Sequence, residues 1–120
     1  MSRPPKHYRD FLEKHPSVGR AYEQLADACH EAGPLTARER VLVKLGVAMG
    51  ARMEGAVHAQ VRKGLESGLG AEDLRHAVLP ALTTAGFPTM MAARSWVEDL
   101  LAGAEDEPKA KRAGKKSKRR

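Results

Sequence analysis

Three acid or base groups in this chain, Glu39, Glu54 and His58, are spaced so that they could share a site, with Arg62 one helical turn further on. Glu54 and His58 are four residues apart, so on a helix they project from one face. A carboxylate beside an imidazole fixes its tautomer and raises its basicity, which is the arrangement of a general base. Glu39, brought close by helix packing, would orient the other ring nitrogen or hold a substrate proton, and Arg62 would receive an anionic group. Each residue also has a structural reading. Glu54 suits a helix start, Glu39 serves a capping box, Arg62 fits a solvated face, and an isolated histidine is more often a satisfied structural one.

The same groups read weakly as a metal centre. Glu54 and His58 offer two ligands and Glu39 a third, but the sequence has no His-x-x-x-His pair and no thiol cluster. Three protein ligands are the usual minimum for catalytic zinc. No metal and no cofactor are therefore expected. The other histidines, His7, His15, His30 and His76, are scattered and read as surface groups.

The elements that must position these residues read as helices. A polar start containing Pro4-Pro5 predicts a loose arm over residues 1–15, in which Tyr8, Phe11 and Leu12 make a short amphipathic turn. Val18, Ala21, Tyr22, Leu25, Ala28 and Cys29 recur at three- and four-residue intervals, predicting a helix over 17–31 that ends at Gly33-Pro34. On that stripe Cys29 is expected to be a small buried hydrophobe. Thr36-Ala37-Arg38-Glu39 has the form of a capping box and opens a second helix. Its buried side is marked by Val41, Leu42, Leu45, Ala48 and Met49, and Val43 and Val47 widen the stripe enough to predict a central helix.

Residues 50–53 break the path before a third helix over 54–67, whose inner face carries Val57, Val61 and Leu65. Gly70-Ala71-Glu72-Asp73 opens a fourth, with acids in the first turn where the helix dipole favours them and Pro80 inside the run. Gly86-Phe87-Pro88 precedes a fifth helix over 89–101, in which Met90, Ala93, Trp96, Val97 and Leu101 face inward. Trp96 is expected to anchor the core or a subunit interface. The fold class predicted is all-α, a bundle of about five to six helices, with a helical domain over 16–102.

From residue 103 the composition changes. Eight of the 21 Lys and Arg residues lie in 108–120, which leaves 13 basic against 15 acidic groups, a net of −2, in the rest of the chain. The tail holds no hydrophobe larger than alanine and is expected to be disordered over 103–120. It would make at most weak, salt-dependent contact with nucleic acid, since no aromatic residue interleaves its charges for base stacking. A single cysteine excludes an intramolecular disulfide. With no signal-peptide pattern and no run near the roughly 18 apolar residues of a membrane span, a cytoplasmic protein without membrane contact is expected.

The order of these features resembles the carboxymuconolactone decarboxylase family, which includes alkylhydroperoxidase D-like proteins. The matching parts are the Thr-x-x-Glu helix start, the glycine break, the segment Val57-His58-Ala59-Gln60-Val61-Arg62, a Gly-rich turn, an acid-started helix and Gly86-Phe87-Pro88. They cover about 16–101. In the family's redox branch a Glu and a His accompany a Cys-x-x-Cys pair. Glu39 and His58, nineteen residues apart, match the first two, whereas Ala51 and Glu54 occupy the thiol positions. Dithiol peroxidase chemistry needs one thiolate to attack the peroxide and another to resolve the sulfenic acid, so the resemblance does not extend to that activity. The decarboxylase branch also lacks the thiols, and it implies a lactone or carboxylate substrate with the His in proton transfer. It further implies an oligomer with a small-molecule pocket near His58. Against this stand a noncatalytic helical oligomer that binds a ligand or partner, and a relative that is peroxiredoxin-like in fold alone.

Overall fold

The computed structural model describes residues 4–105, with the side chains of Ala104 and Glu105 excepted. The described residues form six helices and no strand: α1 (Lys6–Lys14), α2 (Pro16–Glu31), α3 (Ala37–Gly50), α4 (Glu54–Glu66), α5 (Ala71–Ala85) and α6 (Phe87–Glu105). Of the disordered tail expected over 103–120, residues 103–105 instead continue α6, and the rest lies outside the described residues. Two compact units divide between Thr36 and Ala37.

The first unit is the pair α1 and α2. The segment read as a short turn is a helix of nine residues, with Pro5 just before its first turn, where a missing N–H costs nothing. Gly19 is buried, and a Cβ there would stand 2.8 Å from Leu12 Cδ2, so the glycine lets the two helices close on each other. The apolar stripe of α2 is not covered: Val18, Tyr22 and Leu25 are all more than half exposed. Cys29 is exposed with them, contrary to the buried position its spacing predicts. Three- and four-residue periodicity identifies an apolar face, but only a second surface can bury it.

The second unit is two helical hairpins, α3–α4 and α5–α6, laid against each other so that α4 packs on α6 and α3 on α5. Its core centres on Leu45, Val57, Val61, Leu74, Val97 and Leu101, each essentially inaccessible to solvent. Trp96 is half-buried and packs against this core. α3 packs on α4, α5 and α6 as a central helix should, but the residues that widen its stripe face outward, Val43 being 54% and Val47 67% exposed. Its buried side is the one bearing Val41, Leu45, Ala48 and Met49.

The turns explain how the hairpins close. The Met53 amide donates to Ala48 O and the Arg52 amide to Met49 O, both at 3.0 Å, with Arg52 in the left-handed region at φ 57°. This is a Schellman end on α3, and it uses an arginine where glycine is usual. The Arg52 Nη1 donates to Thr89 Oγ1 at 2.9 Å, which gives that strained residue a fixed partner at the start of α6. The same end recurs on α4, where Gly68 takes φ 95° and the Leu69 amide donates to Gly64 O at 2.9 Å. At α5 the Gly70 amide donates to the Asp73 carboxylate at 2.8 Å, one half of a capping box whose other half a glycine cannot supply.

Candidate functional site

α4 begins at Glu54, where the preceding turn releases the chain, and His58 follows one turn later. Because α4 packs on α6, the third group at this position comes from the far end of the chain. His58 Nε2 stands 3.1 Å from Asp99 Oδ2. A carboxylate can only accept, so Nε2 carries a proton and donates, and in the neutral ring the lone pair is on Nδ1. Donor atoms of Glu54, His58 and Asp99 all lie within 4.8 Å of one another. The imidazole is the least accessible of the three, with His58 23% and Asp99 54% exposed. The site is therefore a histidine set into the α4–α6 seam and flanked by two solvent-facing carboxylates.

The residues singled out from sequence fall in different places. Glu54 joins His58 as its spacing requires. Glu39 stands in the first turn of α3 and is exposed. Val41, two residues on, has its Cγ1 3.3 Å from where a Gly64 Cβ would be, and Gly64 is six residues beyond His58 on α4. At 1.5 Å per residue along two antiparallel helices, Glu39 is offset from His58 by roughly 12 Å within one chain. Arg62 is half-buried one turn after His58 and has no ion-pair partner among the described residues. Asp99 carries no such signal in the sequence. It lies 41 residues from His58, and nothing in its local spacing separates it from an ordinary acid on a helix surface.

Beside Asp99, Glu98 turns the other way. Arg75 grips it through two hydrogen bonds, Nε to Oε2 at 2.8 Å and Nη2 to Oε1 at 3.1 Å. These bonds hold the Glu98 carboxyl below the usual carboxylate range; burial pushes against them, and the charges of Arg75 and Arg94 add to the lowering. Consecutive helical residues point about 100° apart, so α6 is clamped to α5 by Glu98 and faces α4 with Asp99. A groove of about 570 Å³ runs along the α5–α6 side, lined by Arg75, His76, Met90 and Arg94 among others. Neither Glu54 nor His58 lines it.

The sequence profile of the carboxymuconolactone decarboxylase family matches residues 16–99. The chain belongs to that family. No curated protein and no solved structure gives a significant match. Membership agrees with the all-α architecture. The single cysteine, Cys29 on α2, means that this member carries no Cys-x-x-Cys pair. No helix among the described residues is long and apolar enough to cross a membrane.

Proposed function

We propose that the protein is a carboxymuconolactone decarboxylase-type enzyme acting on a small lactone or carboxylate substrate by acid–base chemistry, without a dithiol peroxidase cycle. The observation that carries this reading is the contact of 3.1 Å between His58 Nε2 and Asp99 Oδ2. Asp99 fixes the tautomer and steadies the imidazolium that forms when Nδ1 takes a proton. Glu54 adds a second carboxylate on the same helix face, and Arg62, one turn after His58, would attract an anionic substrate group. Glu39 keeps its place at the start of α3, and on this reading its contribution is to the helix rather than to the His58 ring. The uncovered apolar residues Leu42, Val43 and Val47 on α3 support self-association, which would also help enclose a small substrate.

General acid–base catalysis is worth about 10²- to 10⁴-fold. His58→Ala should lower kcat/KM for an accepted lactone or β-keto acid by that much, and Asp99→Asn should lower it through loss of the tautomer. Decay of the substrate's ultraviolet absorbance gives the rate. Unchanged turnover in His58→Ala would remove the proposed base.

A further inference from the structure

The three groups of the α4–α6 seam also have the donor set of a cation site. Neither Glu54 nor Asp99 is paired with a lysine or arginine among the described residues, whereas Glu98, next in the chain to Asp99, is gripped by Arg75. Two carboxylates therefore converge on one imidazole with no fixed positive charge between them. Donors bind a first-row ion at about 2.0–2.2 Å, so two donors on one ion lie about 3 Å apart when adjacent and about 4.2 Å when opposite. The spread here, all within 4.8 Å with the His58–Asp99 edge at 3.1 Å, closes onto one ion with small side-chain rotations. The sequence offers Glu39 as the third ligand; in the fold Asp99 takes that place from α6.

We propose that Glu54, His58 and Asp99 bind one divalent transition ion, with Zn²⁺ the fitting probe, and that the ion switches the acid–base site off. One imidazole nitrogen selects for transition ions over Mg²⁺ and Ca²⁺, which take oxygen donors. Exposure of both carboxylates gives the ion an entry path and leaves its remaining positions to water. The inhibition follows from the ring. A neutral imidazole coordinates through a lone pair, so an ion on Nε2 displaces the proton there and moves it to Nδ1, where it occupies the lone pair the base needs. This consequence rests on the acid–base reading of the site; the binding itself does not.

The test is calorimetric titration of the full chain with Zn²⁺ in chelator-free buffer, without substrate, alongside Glu54→Gln, His58→Ala and Asp99→Asn. We expect one ion per chain at micromolar affinity, weakened at least about tenfold in each variant and not displaced by excess Mg²⁺. Glu54 is exposed in the first turn of α4, so Glu54→Gln should fold even if Asp99→Asn does not. Absence of binding at millimolar Zn²⁺, or equal affinity in the wild type and the folded variants, overturns the proposal, because any residual binding then belongs to the scattered histidines. Displacement by Mg²⁺ overturns the ion class. Turnover in chelator without Zn²⁺ binding sinks the ion and spares the base; Zn²⁺ binding with no turnover even in chelator does the reverse, and turnover undiminished at saturating Zn²⁺ overturns the switch.

Discussion

Replacing Glu98 by glutamine probes the clamp that sets the rotation of α6. The Arg75–Glu98 pair makes two charge-assisted hydrogen bonds, and its side chains are 30% and 28% exposed. An exposed ion pair contributes about 0–1 kcal/mol, and breaking a fully buried one costs about 3–5 kcal/mol. This pair lies between those limits. Glutamine keeps one acceptor oxygen, and Arg75 retains Glu72 at 3.5 Å, so the expected loss at neutral pH is about 1–2 kcal/mol. The pH dependence has a definite sign. Arg75 lowers the Glu98 carboxyl in the fold below its ordinary value of 4.5. The stabilisation is therefore complete above that ordinary value and is lost as pH falls through the lower, folded one. Urea unfolding followed by far-ultraviolet circular dichroism at about pH 7 and about pH 3 should give a wild-type advantage at the first and a smaller one at the second. A difference that stays the same at both, or is absent at both, refutes the reasoning. The clamp also predicts that the His58 ring resonances move in Glu98→Gln, since α6 carries Asp99 as well.

Two further substitutions test local features. A Cβ at Gly64 would stand 3.1 Å from Leu74 Cδ2, 3.2 Å from Leu69 Cδ1 and 3.3 Å from Val41 Cγ1. Gly64→Ala gains about 1 kcal/mol of helix propensity against about 1–3 kcal/mol of overpacking, so a net loss near 1 kcal/mol is expected in the same unfolding assay; a more stable variant would mean that the three methyl groups yield freely. Cys29 is exposed, so its thiol should react with a disulfide reagent in the native protein about as fast as in urea. Strong native protection would show that another surface covers the α2 stripe.

Much of the fold can be read from the sequence because its helix ends are written in local chemistry. Thr36-Ala37-Arg38-Glu39 places the start of α3, Gly68 and Gly86 take the positive φ that ends α4 and α5, and Pro88 stands in the first turn of α6. Glu54 and His58 are legible for the same reason, since one helix face follows from a spacing of four. What local chemistry does not encode is the partner across a seam. Val43, Val47 and Cys29 carry the period of buried residues, yet all three are exposed. Glu39 matches the family pattern in sequence, but antiparallel packing of α3 on α4 carries it away from His58. Leu69 is buried because it folds back over Gly64 after a Schellman turn, a consequence of the turn and not of either helix period.

Asp99 shows how the site depends on the fold rather than on any motif. It has meaning only because Glu98 precedes it. With Glu98 held by Arg75 on α5, the next residue is turned about 100° toward α4, where His58 waits at hydrogen-bond distance. A rotation of α6 by one residue would exchange the two acids, placing the arginine-bound carboxylate against the imidazole and leaving Arg75 with Asp99. The shorter aspartate side chain would then have to span the gap to a guanidinium, and the longer glutamate would crowd the ring. The order Glu98-Asp99 therefore matches reach to distance on both sides of α6. On the proposed reading, what occupies His58 Nε2, a proton shared with Asp99 or a cation held by all three groups, decides whether this seam moves protons or is silent.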